Sequence, residues 1–308
     1  MISNSNVLVI GSINMDFVIN CKRLPKPGET CFGKQFSRHP GGKGANQAVA
    51  ACQLGAPTKF IGARGDDEEG NKLLKHLKST GLSTSFKISK KATGTAHIFV
   101  TENGENHIVV ISGANNDFNP DDLNHISEEL IKSKVLLLQL EIPLETVKNA
   151  AKLASQSGVM VILDPAPARE LPDDLLRYVD FIIPNQNELK QLTKSTTGEE
   201  SSQAKFLLSQ GVKNVLITKG KKGVTLYNND EKQNFKAPKV EVIDTTAAGD
   251  AFAGALATGI SKGLTLKNSI RLGIYYSSVS VTMVGAQSSM LNKTDFWKQR
   301  PESKELFE

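Results

Sequence analysis

Cysteine, histidine and long apolar runs are all scarce in this chain of 308 residues. Its three cysteines, Cys21, Cys31 and Cys52, form no Cys-x-x-Cys pair. An odd, sparse set argues against a disulfide framework and for free thiols in a reducing compartment, so the cytoplasm is the expected setting. The five histidines make neither His-Glu-x-x-His nor any other zinc spacing, and no zinc site is expected. The longest largely apolar run, Val135 to Leu140, is far too short to span a membrane. Residues Met1 to Asn6 do not read as a signal peptide. No Pro-, Gly- or Ser-rich linker divides the chain, and there is no internal repeat. Basic residues are spread rather than gathered, so the net charge of +5 provides no nucleic-acid stripe. A mild positive balance suits small anionic substrates. What remains is 39% hydrophobic and 22% charged, the make-up of a soluble globular protein. Length alone allows one large α/β domain or two ordinary ones.

Short apolar runs alternate with helical patterns. Val7–Ile10, Val135–Leu140, Val159–Leu163, Phe181–Ile183 and Val215–Ile217 read as buried parallel strands. Segments such as Leu144–Ser157 and Ser201–Gln210 carry apolar residues at helical spacing. This alternation predicts a mostly parallel sheet with helices on both faces. One region departs from the rhythm: His97–Thr101 and Asn106–Ile111 flank Asn103-Gly104, a strong hairpin signal. With strand-like patterns in 12–20 and 30–38, it predicts a small secondary sheet; an ordinary surface hairpin would look alike.

The most informative segment is Asp244-Thr245-Thr246-Ala247-Ala248-Gly249-Asp250, two acids around five small residues, leading into a small-residue helix. Small side chains let a backbone approach a ligand, and the first turn of a helix suits a phosphate. An acid there makes sense if Asp250 removes a proton from a substrate hydroxyl. For one Asp alone, an acid-capped helix would serve as well. Gly41-Gly42-Lys43-Gly44-Ala45-Asn46-Gln47-Ala48-Val49-Ala50 is the second feature. Glycines open an Ala-rich helix on which Lys43 and Asn46 share a face, which suits a polyol or a phosphate, or is a turn before a core helix. It is no Walker loop, since no Ser or Thr follows Lys43; Gly28–Lys34 has nearer spacing, but Gln35 replaces the required hydroxyl.

Three polar clusters follow strands, where ligands of doubly wound folds bind. Asn14-Met15-Asp16 offers an amide and a carboxylate for sugar hydroxyls, or turn chemistry. Asn185 and Glu188 are three apart and suit the water ligands of magnesium, or a helix cap. Thr218-Lys219-Gly220-Lys221-Lys222-Gly223 suits nucleotide phosphates or base contacts, or is a solvated basic hairpin turn.

Together these segments resemble the ribokinase family of carbohydrate kinases over roughly residues 6 to 291, in the family's order. Gly41–Ala50 and Asp244–Asp250 look like its two signatures, and Asp164-Pro165-Ala166-Pro167-Ala168 and Asn14–Asp16 add to the match. The resemblance implies a three-layer α/β/α sandwich with a β-sheet lid near residues 12–20, 30–38 and 94–111, all within one domain over residues 1–308. It implies ATP-dependent phosphorylation of D-ribose at the 5-hydroxyl. Alternatives are a kinase for deoxyribose, another pentose or a nucleoside, or a catalytically weak sugar-binding regulator. The implied base is Asp250, with the backbone of Ala247, Ala248 and Gly249 as anion hole. Asn14, Asp16, Gly42, Lys43, Asn46, Glu141 and Asp250 are implied to hold the sugar. Asn185, Glu188, Thr218, Lys219, Gly220, Gly223 and Gly249 are implied to serve ATP and magnesium. Asp244, Thr246, Ser280, Met283, Gly285 and Ser289 are implied to hold potassium, several through backbone carbonyls. A homodimer through the lid is also implied, with neither nucleic acid nor membrane as partner. The chain departs from the family at Ala251-Phe252-Ala253, commonly Thr-Phe-Asn, at Ile274, often polar, and at Asp164, frequently Asn.

Overall fold

The computed structural model describes residues 6–194 and 198–307. The signal-peptide reading of residues 1–5 therefore lies outside the described residues. In chain order the elements are β1 (Val7–Ile10), β2 (Asn14–Cys21), β3 (Gly33–Gly41), α1 (Lys43–Gln53), β4 (Thr58–Gly65), α2 (Glu68–Ser79), β5 (Ser83–Ser89), β6 (Gly94–Thr101) and β7 (Asn106–Ile111). Then come α3 (Ser127–Lys132), β8 (Val135–Leu138), α4 (Leu144–Gln156), β9 (Met160–Leu163), α5 (Asp173–Leu176), β10 (Phe181–Ile182), α6 (Gln186–Leu192) and α7 (Glu200–Ser209). The chain closes with β11 (Asn214–Thr218), β12 (Val224–Tyr227), β13 (Lys232–Phe235), α8 (Ala248–Ser261), α9 (Leu266–Ser280) and α10 (Lys293–Gln299).

Among the described residues nine strands form one sheet, ordered β13-β12-β11-β10-β9-β8-β1-β4-β5. Pairing is parallel from β11 to β5, while β12 and β13 are antiparallel. Alternate residues of each central strand serve opposite faces. Val7, Val9, Val135, Leu137, Ile162 and Leu216 join a core shared with α1, α8 and α9. Leu8, Ile10, Leu136, Leu138, Val161 and Leu163 join a second core shared with α4 and α7. Helix layers on both faces make the strands apolar throughout, which is why they were readable as short continuous runs. β4, β5, β12 and β13 were not anticipated: β4 contains Arg64 and two glycines, and the other three are edge or near-edge strands with polar positions.

The expected run Val135–Leu140 ends two residues early, at Leu138. The chain then turns, with the Leu140 N–H donating to Ala166 O at 3.0 Å. Gln139 and Glu141 are thereby delivered at the carboxyl end of the sheet. A second sheet of four strands, β3-β2-β6-β7, stands apart from the first. It contains the expected hairpin, and β2 runs parallel to β6 while β3 and β7 are antiparallel to their neighbours. Every residue of β7 is exposed. Among the described residues no helix is long and apolar enough to cross a membrane.

Candidate active site

α8 begins without a side-chain cap. Ala247, at its N-cap, is held in a left-handed conformation (φ 57, ψ 17), an unusual geometry for a residue with a Cβ. The Ala248 N–H donates to Thr245 O at 3.2 Å, while Gly249 and Asp250, next in the first turn of this 14-residue helix, line a cavity, and the helix dipole adds positive potential there. Such an entry fits an anion. Most of the rest of α8 is buried, because its small residues let it lie between α1 and α9.

Asp250, in the first turn of α8, is 4% exposed. Asn46 Nδ2 donates to its Oδ2 at 2.9 Å, and Gln47 Nε2 donates to its Oδ1 at 3.0 Å. Both amides come from α1, whose entry is set by Gly42 at φ 89. A Cβ on Gly42 would lie 2.7 Å from Asn14 N and Ile13 Cα. Only a glycine lets the start of α1 press against the β1–β2 connection at Ile13 and Asn14.

Asn14 and Asp16 open β2, immediately beyond β1. Asp16 lies against Gly41, where a Cβ would come within 2.1 Å of its carboxylate. Glu141 accepts from Ser12 Oγ at 2.5 Å and from the Lys43 N–H at 3.1 Å. Acid is thus concentrated in one place. Burial, then Glu141 and Asp250, push the Asp16 carboxyl up to about 7. Burial likewise pushes Asp164 up to about 8, against the pull of Lys43 and with the push of Asp250, Glu188 and Glu141. For Lys43 burial works against the ammonium, but Asp250, Asp164, Glu141 and Glu188 outweigh it and its pKa is raised. A lysine so surrounded stays charged and offsets part of the acid cluster.

Two adjoining cavities meet at Thr218, Thr245, Ala248 and Gly249. The smaller, about 240 Å³, is lined by Lys43, Asp164, Asn185, Glu188 and Asp250 among others. The larger, about 570 Å³, runs from Gly220, Lys221 and Gly223 past Ala237 and Val240 to Phe252 and Ile274. Its apolar walls suit a flat aromatic ring, and its polar mouth suits phosphates.

Asn185 and Glu188 also cap α6: Asn185 Oδ1 accepts from the Asn187 and Glu188 N–H groups, and Glu188 Oε2 accepts from the Asn185 N–H at 2.7 Å. The capping alternative is therefore realised, with both residues still on the cavity wall. Thr218 ends β11, and Gly220 and Gly223 sit in the tight turn before β12, so the hairpin alternative is realised as well. Lys219 does not join the group. Its ammonium pairs with Glu200 at 2.6 Å and donates to Thr225 Oγ1 at 2.6 Å, while Lys221 lines the cavity.

Beside the start of α8, Asp244 links two loops. Its Oδ1 accepts from the Thr246 N–H and its Oδ2 from the Gly285 N–H, both at 2.8 Å. Burial opposes the anion, but these hydrogen bonds prevail and hold the carboxyl below its ordinary value. Met283 and Gly285 lie in the same loop, Ser280 at its start and Ser289 at its end, with Ser280 and Ser289 buried. The Ser280 and Ser289 hydroxyls donate to Ser277 O at 2.9 Å and to Ala286 O at 2.7 Å.

Several residues of the site carried no assignment in the sequence. Gln47 and Asp164 stood inside quoted segments. Gln139 donates from Nε2 to Gln47 Oε1 at 2.6 Å, and Gln287 donates from Nε2 to Asn46 Oδ1 at 3.0 Å. Asn115 contacts Asn14. For Gln139 the available signal was an amide closing an apolar run; for Asn115 and Gln287 there was none.

Residues 4–293 match the family model described as pfkB family carbohydrate kinase. A ribokinase from Haemophilus influenzae is 40% identical over 287 residues, covering 92% of this chain and 94% of that protein. A deoxyribokinase from Salmonella typhi is 36% identical over 290 residues, covering 92% and 95%. The structure of Arabidopsis thaliana ribokinase complexed with ribose and ATP superposes with a TM-score of 0.86 at 31% identity, covering 96% of this chain and 98% of that one.

Proposed function

The chain belongs to the pfkB family of carbohydrate kinases, and from that premise we propose that it transfers the γ-phosphoryl group of ATP to the 5-hydroxyl of D-ribose. The observation that carries this reading is the place of Asp250. It stands buried at the start of α8, on the wall of the smaller cavity with Lys43 and hydrogen-bonded to Asn46.

In this reading Asn14, Asp16, the Gly42–Lys43 backbone, Asn46 and Glu141 grip the sugar and present its 5-hydroxyl to Asp250. Asp250 takes the hydroxyl proton as the oxygen attacks the γ-phosphorus in line and ADP departs. The backbone around Ala247, Ala248 and Gly249, with Lys43, stabilises charge spread over the transferring oxygens. Adenine lies along Ala237, Val240 and Ile274, with phosphates toward Gly220, Gly223 and Gly249. Asn185 and Glu188 would hold the water shell of a magnesium ion, which neutralises phosphate charge when bound. Asp244, Thr246, Ser280, Met283, Gly285 and Ser289 would hold potassium and order the loop before α8. The second sheet acts as a lid that excludes water, and its exposed apolar strand β7 is the face of a homodimer. We read the whole chain as one domain working in the cytoplasm.

The 36% identity to a deoxyribokinase keeps 2-deoxyribose as the second reading. Another pentose, or a nucleoside, needs only a changed pocket on the same machinery. A coupled ADP-release assay with ribose, deoxyribose, other pentoses and nucleosides separates these substrates. Absence of turnover with every sugar would leave only a binding regulator. In the same assay Asp250→Asn lowers kcat by at least about 10²-fold, the scale of losing a general base. Near-normal turnover in that variant rules out Asp250 as the base.

A further inference from the structure

Asp250 is gripped by two consecutive residues of one helix. Neighbours on α1 point about 100° apart, yet each reaches a different oxygen of the same carboxylate. The close packing of α8 on α1 makes this possible. A Cβ on Gly254, one turn after Asp250, would come within 2.6 Å of Gln47 O and the Ala50 Cβ.

The two arms differ. Asn46 belongs to the sugar-binding group and takes its support from Gln287. Gln47 is fully buried and serves none of the roles assigned so far. Its Nε2 donates at once to Asp250 Oδ1 at 3.0 Å and to Asp164 Oδ2 at 2.7 Å. Its Oε1 accepts from Gln139 Nε2 at 2.6 Å, and Gln139 is itself fully buried. The donor–acceptor order allows one orientation. A turned Gln47 amide would set its carbonyl oxygen against the Asp250 carboxylate, which only accepts. The Asp250 carboxylate therefore sets the orientation of the Gln47 amide and Gln139 braces it, and Gln47 has one N–H for each of two acids.

We propose that Gln47, braced by Gln139, is a positioning residue that fixes the rotamer of Asp250 and ties it to Asp164. This rests on the reading of Asp250 as the base. Each Asp250 oxygen receives one amide N–H, which leaves lone-pair capacity to receive the sugar proton. Loss of one arm lets the carboxylate turn away from the attacking hydroxyl, and misplacement at that point costs rate rather than binding.

The test compares wild type, Gln47→Leu, Gln47→Glu, Gln139→Leu and Asp250→Asn in kcat and KM for both substrates, with melting curves to check folding. Gln47→Leu lowers kcat by about tenfold or more, with both KM values within about threefold. Gln139→Leu, which removes that brace, gives a smaller loss of the same kind. Gln47→Glu adds a pH signature. As a neutral acid it donates one O–H, and as an anion it repels the Asp250 carboxylate. Its rate therefore falls relative to wild type as pH rises from about 5.5 to about 9, and recovers as pH is lowered. If Gln47→Leu does not fold, the pH profile of Gln47→Glu and the kcat of Gln139→Leu decide. Folded Gln47 variants with wild-type kcat and pH profile, alongside an inactive Asp250→Asn, overturn this proposal alone. An active Asp250→Asn overturns the assignment of the base on which it rests.

Discussion

Asn115 holds Asn14 across a separation of 101 residues: its Nδ2 donates to Asn14 Oδ1 at 2.8 Å. The same side chain accepts the Ile13 N–H at 3.0 Å and donates to Ile13 O at 3.1 Å. Both asparagines are buried. With its Oδ1 committed, Asn14 must present its NH₂ to whatever lies in front of it, and so it reads an acceptor oxygen.

The first prediction follows from that commitment. Asn115→Leu leaves Asn14 free to turn and deprives Ile13 of both partners. The KM for ribose should rise by about 5- to 150-fold, the equivalent of about 1–3 kcal/mol for an unpaired buried group. The kcat should change less, because Asp250 is held from α1. Kinetics with saturating ATP check this; an unchanged KM in a folded variant means that the Asn115 contact does not orient Asn14.

Substrate choice gives the second prediction. A site built to bond a hydroxyl rejects the analogue lacking it, since its own polar groups are left unpaired. Ribose should therefore be favoured over 2-deoxyribose in kcat/KM by about 5- to 150-fold, and Asn14→Ala should shrink that preference more than it slows deoxyribose turnover. A wild type that prefers deoxyribose, or a mutation that slows both sugars equally, removes the 2-hydroxyl from the reach of Asn14.

Asn115 also marks where the sequence stops being legible. The central strands were readable because burial on both faces makes them apolar throughout, as in Val7–Ile10. β5 and β13 were not, because an exposed edge tolerates Ser, Lys and Gln. Asp250, Lys43 and Asn46 were legible because each sits in a contiguous glycine- and alanine-rich segment with a local chemical meaning. Asn115, Gln139 and Gln287 are lone amides whose partners lie 101, 92 and 241 positions away. Only the crossing of β1, β2 and α1 brings them together, and no local pattern encodes that crossing.

The third prediction concerns Asp244. Its carboxylate is fixed by the Thr246 and Gly285 N–H groups and so joins the loop before α8 to the loop after α9. Potassium should raise kcat above the rate in sodium or tetramethylammonium, because carbonyl-lined loops replace its hydration shell. Potassium should also raise the melting temperature of wild type but not of Asp244→Ala. Equal rates and equal melting in potassium and tetramethylammonium refute a cation site here.

The fourth concerns the second sheet. Deleting residues 98–110 removes most of the β6–β7 hairpin and the exposed Ile108, Val109 and Val110. The KM for sugar should rise, ATP hydrolysis without acceptor should increase, and the dimer should weaken. Sedimentation and ATPase assays read these separately. A deletion that stays dimeric and fully active contradicts both the lid and the dimer face.

The last prediction works out the sign of the acid cluster. Asp164 is pushed by burial from 3.8 up to about 8, with Asp250, Glu188 and Glu141 adding to the rise and Lys43 opposing it. Asp16 is raised in the same sense, to about 7. In the unfolded chain both lose their protons near the ordinary carboxylate value of about 3.9. Between that value and about 8 the folded state holds more protons than the unfolded one, so these two groups lower stability as pH rises. The stability they contribute is full below the unfolded value, is lost on the way up, and levels off above about 8. Asp164→Asn removes the larger share while keeping an oxygen to accept from Gln47. The advantage of the variant over wild type should grow as pH rises from about 5, and its melting temperature near pH 8.5 should gain on wild type by at least about 2 °C relative to pH 5, the shift about 1 kcal/mol produces in a chain of this size. Other carboxylates and the histidines titrate in both proteins and cancel in the difference. Calorimetry at the two pH values measures it. A difference that does not grow with pH, or a variant less stable at the higher pH, means that Asp164 is ionised in the folded protein and that Lys43 outweighs its burial.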